Sequence, residues 1–83
     1  MVKTLYVGNL PWSTNETELI AWAMPHARVK GARIILDRET GRSRGFGFLE
    51  VEAEDIEKAV TALNGAELGG REVMVNEAQA RQR

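Results

Sequence analysis

Cysteine is absent from this chain of 83 residues, and histidine occurs only once, as His26. These absences exclude a disulfide framework, a thiolate metal site and the histidine clusters that commonly hold metals. The sequence therefore predicts no metal and no cofactor, and it is compatible with a reducing compartment. Long apolar runs are missing too, so nothing resembles a signal peptide or a membrane span. We expect a cytosolic protein, or a nuclear one if the source is a eukaryote.

An excess of one charge is also lacking, because the formal net charge is −1. The charges are nevertheless unevenly distributed along the chain. Residues 50–57 hold acidic side chains and no base, whereas residues 28–44 are rich in bases. These bases are Arg28, Lys30, Arg33, Arg38, Arg42 and Arg44. We expect a basic side built from the middle of the chain and an acidic, solvated side on the second helix.

The segment Arg44–Val51 reads Arg-Gly-Phe-Gly-Phe-Leu-Glu-Val. Side chains alternate between the two faces of a strand, so Phe46 and Phe48 share one face with Arg44. The opposite face carries Leu49 and two glycines, which allow close packing against the strand. We expect Leu49 to face the core and the two rings to be exposed, which is typical of a surface that stacks unpaired bases. A buried ring pair, with Leu49 outward, is the alternative that these residues alone leave open.

A second segment, Leu5–Leu10, reads Leu-Tyr-Val-Gly-Asn-Leu, with Tyr6 between two aliphatic residues. Together the two segments resemble the paired signatures of the RNA recognition motif (RRM) family, whose longer signature runs basic-Gly-aromatic-Gly-aromatic-aliphatic. The resemblance covers about residues 3–78. It extends through Asp37–Ser43, Ala62–Gly65, Gly70–Arg71 and Val75–Ala78.

The order of predicted elements is β-α-β-β-α-β within one domain, residues 1–83, with its core at about 3–78 and a short tail at 79–83. The predicted strands are Lys3–Gly8, Val29–Leu36, Arg44–Val51 and Arg71–Glu77. The first predicted helix begins at Asn15, and the second runs from about Ala53 to Asn64. Right-handed crossovers then give an α+β, ferredoxin-like sandwich, in which a four-stranded antiparallel sheet has both helices on one face. Strands one and three lie in its centre, so Tyr6, Phe46 and Phe48 should meet on the open face.

Details outside the sheet centre depend on single residues. Trp12 is expected to anchor the loop after the first strand by packing, with an exposed ring as the alternative. His26 is expected to be a half-buried packing residue near the end of the first helix, which Pro25 should terminate. A bulge near Lys30–Gly31 would turn Leu36 toward the core.

The resemblance and the alternation together predict a binding surface for single-stranded RNA. Tyr6, Phe46 and Phe48 would stack bases, and Arg44 would contact a phosphate. The other candidate RNA-binding residues are Arg33, Arg38, Arg42, Met74, Asn76 and Gln79, the last of which follows only from the resemblance. Single-stranded DNA is left open as a competitor, and a monomer without a small-molecule substrate is expected.

Two other functions are weighed against this one. A protein-interaction module of the same fold would need the ring surface to be lost or covered, yet all three ring positions are filled. An acylphosphatase-like hydrolase would need an arginine in the loop after the first strand, and Asn9–Thr14 contains none. The sequence therefore predicts a non-enzymatic module, such as a small RNA chaperone-like or post-transcriptional regulatory protein. Met1 lies shortly before the first strand, as in a self-contained chain or equally in an excised domain.

Overall fold

The computed structural model describes residues 1–78. Their elements, in chain order, are β1 Val2–Gly8, α1 Glu16–Ala23, β2 Val29–Leu36, β3 Ser43–Glu52, a 3-10 turn Ala53–Asp55, α2 Ile56–Leu63, β4 Glu67–Leu68, β5 Arg71–Glu72 and β6 Met74–Glu77. Neither helix in this part of the chain is long and apolar enough to cross a membrane.

Four strands form one antiparallel sheet in the order β2-β3-β1-β6. The first and third strands therefore occupy the centre, as predicted. Strands β1 and β3 pair in a register that sets Leu5 opposite Leu49 and Tyr6 opposite Phe48. The predicted ferredoxin-like sandwich is confirmed, and its two central strands bring both signature segments together.

The hydrophobic core lies between one face of this sheet and the two helices. Leu49 and its neighbours on the inner face of β3 are fully buried, as are Leu5 and Val7 of β1. Leu19 of α1 and Leu63 of α2 pack against them. Burying one such aliphatic side chain contributes roughly 1.5–3 kcal/mol. The inward orientation of Leu49 excludes the alternative in which the phenylalanines fill the core.

Helix α1 begins with a capping box. The Asn15 side-chain oxygen accepts a hydrogen bond from the Glu18 backbone N–H at 2.8 Å, and the Glu18 carboxylate accepts one from the Asn15 N–H at 3.1 Å. The helix ends at Ala23, two residues before Pro25. The prediction for His26 is wrong, because the side chain is exposed. The helical period stops before residue 26, and Ala27 takes the buried position instead.

The pairing of β2 with β3 contains two irregularities, of which the sequence predicted one. The expected bulge is present between Val29 and Gly31. A second shift of register lies between Ile34 and Leu36, where the strand next pairs with Ser43. The predicted inward orientation of Leu36 is wrong, since its side chain is 55% exposed. Leu36 lines the same cleft as the buried Ile34, but it is the last residue of the strand, and its side chain stays exposed there.

The predicted strand Arg71–Glu77 is two strands with different partners. Strand β5 forms a small hairpin with β4, whereas β6 pairs with β1. They are separated by Val73, which is fully buried and whose N–H donates to the Ala66 carbonyl at 2.9 Å. The hairpin turn contains Gly69 and Gly70, both with positive φ, a conformation that favours glycine.

The start of the second helix differs from its prediction, because Ala53–Asp55 forms a 3-10 turn and α2 begins only at Ile56. Asp55 is buried in this turn. Its carboxylate accepts hydrogen bonds from Arg28, from the backbone N–H at 2.9 Å and from Nε at 3.0 Å. These bonds lower the pKa of the Asp55 carboxyl well below its usual range. The acidic run is therefore partly structural rather than wholly solvated.

We expect Asp55→Asn to destabilise the fold, because an amide replaces the charged acceptor of Arg28. A depressed folded-state pKa stabilises the protein above the unfolded-state pKa of about 4, and this contribution is lost as the pH falls toward the lower folded-state value. Urea unfolding at about pH 7 and about pH 3 should show a lower midpoint for the variant at neutral pH and a smaller pH dependence. Glu54→Gln is the control, since Glu54 is 83% exposed and contacts the same arginine. Equal effects of the two substitutions would contradict the assignment.

Candidate nucleic-acid interface

Three aromatic rings lie together on the open face of the sheet. We call Tyr6, Phe46 and Phe48 the ring triad. Their centroids are 5.9 Å (Tyr6–Phe46), 6.1 Å (Tyr6–Phe48) and 6.2 Å (Phe46–Phe48) apart, within the range of interacting rings. Tyr6 is 37% exposed, and both phenylalanines are partly exposed. The rings are accessible because the same strands direct their aliphatic side chains into the core on the other face.

Two glycines make room for this arrangement. A Cβ atom at Gly8 would lie 2.7 Å from the Tyr6 hydroxyl oxygen, so the tyrosine ring rests directly over this position. A Cβ atom at Gly47 would collide with the Arg33 carbonyl oxygen of β2. The prediction that glycines permit close packing against β3 is confirmed at Gly47.

The two edge strands place further candidate residues beside the ring triad. On β2, Arg33 lies opposite Phe48, and both line a shallow depression of about 420 Å³ together with Glu50. On β6, Asn76 lies opposite Tyr6, and its exposed amide offers donors and an acceptor. Met74 lies opposite Gly8 and is exposed as well. The structure thus brings Arg33, Met74 and Asn76 to the rings, with Glu50 as the acidic neighbour.

Other candidates lie at the end of the sheet where β3 begins. Arg44 lines a cleft of about 270 Å³ with Arg42. Gly45 has a φ of 88°, a conformation that favours glycine, in the part of β3 where its pairing with β2 shifts register. Arg38 is exposed in the loop between β2 and β3. Gln79 lies outside the described residues.

The loop that carries Arg38 and Arg42 is closed by Asp37. Its carboxylate accepts hydrogen bonds from the backbone N–H groups of Glu39 at 2.8 Å and Thr40 at 3.2 Å, which lower the pKa of Asp37. This Asx-type turn gives the loop a defined shape.

Trp12 also lines the cleft of Arg42 and Arg44, and sequence reasoning did not name it as a binding residue. Its prediction as a packing anchor is wrong, because the side chain is 71% exposed. The buried residue of that loop is Leu10. The signal available in the sequence was a large aromatic residue in a short polar loop, which leaves the direction of the ring undetermined.

The basic surface is smaller than predicted. Arg28 forms an ion pair with Glu54 at 3.2 Å, and Lys30 pairs with Glu52 at 3.2 Å, so the acidic run neutralises these two bases. Within residues 1–78, the bases of the predicted run that form no ion pair are Arg33, Arg38, Arg42 and Arg44. No group of three or more metal-ligating side chains occurs in that part of the chain. The arrangement is suited to a flat aromatic ligand that carries negative charge.

Comparison with known proteins identifies relatives that match most of this chain. The RNA recognition motif family matches residues 5–74. The 28 kDa ribonucleoprotein, chloroplastic, of Spinacia oleracea is 48% identical over 80 residues, which cover 95% of this chain and 34% of that protein. The putative RNA-binding protein RbpA of Synechocystis sp. is 46% identical over 95% of this chain and 79% of its own length. The first plant relatives are longer proteins, of which this chain spans 34%, 23% and 28%.

Solved structures share the fold. RNA Binding Protein PG1 superposes with a TM-score of 0.87 at 41% identity, covering 98% of this chain and 99% of the other. The Sxl-lethal protein/RNA complex superposes with a TM-score of 0.82 at 30% identity, covering 92% of this chain and 47% of the other.

Proposed function

The chain belongs to the RNA recognition motif family, and from that membership we propose that it binds single-stranded RNA on the open face of its sheet. The family match and the names of the relatives support RNA as the ligand, as the sequence predicted. The observation that carries the proposed site is the ring triad, whose centroids are 5.9–6.2 Å apart on an accessible face.

Stacking on the ring triad supplies the main binding energy in this proposal. Each base stacked on an aromatic side chain contributes about 1–3 kcal/mol, measured by substitution with alanine. Arg33 and Arg44 contact phosphates, and the Asn76 amide and the Met74 thioether contact base edges. Arg38 and Arg42 add positive charge from the loop, and Gln79 of the tail adds a polar contact.

Single strands are the preferred form because a duplex hides the faces of its bases. In A-form RNA the bases are stacked on each other and the major groove is too narrow for side chains. One sheet surface of this size contacts only a few nucleotides, so we expect modest sequence preference and measurable binding of single-stranded DNA.

We further propose that residues 1–83 form one binding domain without catalytic activity, with its core at about 3–78. The family match over residues 5–74 supports a binding role for nearly all of this core. We propose that it acts as a monomer in the cytosol or nucleus, which size-exclusion chromatography and cell fractionation would test. Several plant relatives are named as chloroplastic, so a plastid fraction belongs in that experiment.

The proposal is tested by fluorescence anisotropy with labelled RNA of mixed sequence, about eight nucleotides long. Binding should be competed by the unlabelled single strand and by the matching single-stranded DNA, and much more weakly by the RNA duplex. The slope of the logarithm of affinity against the logarithm of salt is about −0.7 for each neutralised phosphate, so phosphate contacts from Arg33, Arg38, Arg42 and Arg44 together would give a slope of about −2.8. Absence of binding even at low salt would refute the proposal and turn attention to a protein partner for the same face.

A further inference from the structure

Trp12 is an exposed aromatic side chain that the ring triad does not include. Its ring is 71% exposed, and within residues 1–78 its indole N–H has no hydrogen-bond partner. The other tryptophan shows the opposite arrangement. Trp22 packs against the core and donates its indole N–H to the Glu67 carbonyl at 2.9 Å. Trp22 therefore has a structural role, whereas the ring of Trp12 is available to a ligand.

The loop that presents Trp12 is firmly attached to the rest of the domain. The Asn9 side chain donates to the Glu72 carbonyl at 2.7 Å and accepts from Arg71 Nη2 at 2.6 Å. The Leu10 side chain is buried, and its N–H donates to the Gly45 carbonyl at 2.8 Å. On the other side of the tryptophan, Thr14 is buried. The backbone that carries the exposed ring is thus held in place before any ligand arrives, which limits the entropy lost on binding.

Two clefts meet at this ring. The larger one, about 780 Å³, lies between the loop after β1 and the loop between β2 and β3. The smaller one is the cleft of about 270 Å³ that contains Arg44. Both are lined by Trp12, Arg42 and Ser43. The larger cleft also contains the exposed side chain of Leu36, so an apolar surface lies in the same cleft as the Arg42 guanidinium group.

The smaller cleft contains two guanidinium groups that can contact an anion. Arg42 and Arg44 form no ion pair within the described chain. Two carboxylates also line the clefts, and each is oriented by hydrogen bonds from backbone N–H groups. Asp37 closes its own loop, and Glu16 accepts from the Ile34 N–H at 3.1 Å. A flat ring beside two unpaired guanidinium groups matches a nucleotide, which carries both a base and a phosphate.

We propose that this cleft binds one further nucleotide of the RNA strand that occupies the ring triad, with its base stacked on Trp12 and its phosphates at Arg42 and Arg44. The proposal rests on the proposed function. The two sites are continuous, because Arg44 lies two residues before Phe46, a separation of at most about 7 Å between Cα atoms. A single strand can therefore cross from the rings to the cleft, and the domain covers a longer stretch of RNA than the ring triad alone.

The test compares two RNA lengths by anisotropy. An RNA of about four nucleotides fills the ring triad, and one of about eight also reaches the cleft. We expect Trp12→Ala to weaken binding of the longer RNA at least about fivefold and to leave the shorter within about twofold. Trp12→Phe, which keeps a ring, should retain most of the affinity. Met24→Ala is the matched control, since it removes another exposed apolar side chain, at the end of α1.

Intrinsic fluorescence gives a second readout from the same proteins. The longer RNA should quench emission of the wild type, and the quenching should be absent in Trp12→Phe, where only Trp22 emits. The proposal is overturned if Trp12→Ala and Met24→Ala bind the longer RNA equally well. It is also overturned if RNA leaves the Trp12 emission unchanged while a proline-rich peptide, used as the probe for a protein partner, quenches it. If both variants bind the longer RNA as tightly as the wild type does, the ring triad alone is the binding site. If the wild type binds neither RNA, the proposed function itself fails.

Discussion

Replacing Tyr6, Phe46 and Phe48 together with alanine is expected to abolish measurable RNA binding while the domain stays folded. Each ring contributes about 1–3 kcal/mol through a stacked base, so the loss of three should lower the affinity at least about 100-fold. The fold should persist because the rings lie on the open face, and the buried core is formed by other side chains. Anisotropy measures the affinity, and circular dichroism with thermal unfolding checks the fold.

Conservative variants separate stacking from general surface effects. Tyr6→Phe removes only a hydroxyl and should bind like the wild type. Phe46→Leu with Phe48→Leu keeps apolar volume but removes the π faces, so it should lose most of the affinity. If the leucine variant retained full affinity, apolar contact rather than stacking would be the source of binding. A folded alanine variant that still bound RNA tightly would show that the RNA lies elsewhere.

Gly47→Ala is expected to cause a large loss of stability, although it adds only one methyl group. The added methyl group would overlap the Arg33 carbonyl and lie 3.2 Å from the Ile34 Cα, both of which are backbone atoms of the paired strand β2. Relief requires β2 and β3 to separate, and overpacking of this kind costs typically 1–3 kcal/mol and occasionally more. For a domain of this size we expect the melting temperature to fall by roughly 10 °C or more.

Gly31→Ala is the matched control for this substitution. Gly31 lies in the same sheet, and its nearest neighbour would be the flexible end of the Glu50 side chain at 3.4 Å. Alanine there should change the melting temperature by only a few degrees in either direction. The close contact with Glu50 opposes a gain of roughly 0.5–1 kcal/mol, because alanine loses less backbone entropy than glycine on folding. A Gly47→Ala protein as stable as Gly31→Ala would mean that β2 and β3 are less closely packed than described.

Much of the fold and the centre of the candidate site follow from local sequence pattern. The alternation of Leu5 with Tyr6, and of Phe48 with Leu49, predicts which side chains face the core. The central position of both strands then brings the rings together. Residues at the margins were harder to predict, since Leu36 is the last residue of its strand and Trp12 lies in a loop, where the periodic pattern ends.

Long-range pairing decided the charge distribution as well. Arg28 belongs to the basic run by sequence, yet it binds Asp55, which is 27 positions away along the chain. That contact arises only when the 3-10 turn before α2 meets the residue that precedes β2, and no local pattern contains it. The positive surface near the rings is consequently limited to arginines that the fold leaves unpaired.

The sequence by itself determined the family, the order of the elements, the two faces of the central strands and the helix cap at Asn15, because each depends on residues close together in the chain. Only the tertiary structure decided that Trp12 and His26 are exposed, that Arg28 is neutralised and that the last predicted strand divides at Val73. The physical reason is that burial, ion pairing and strand register are set by partners distant in sequence, which meet only once the sheet and helices have assembled.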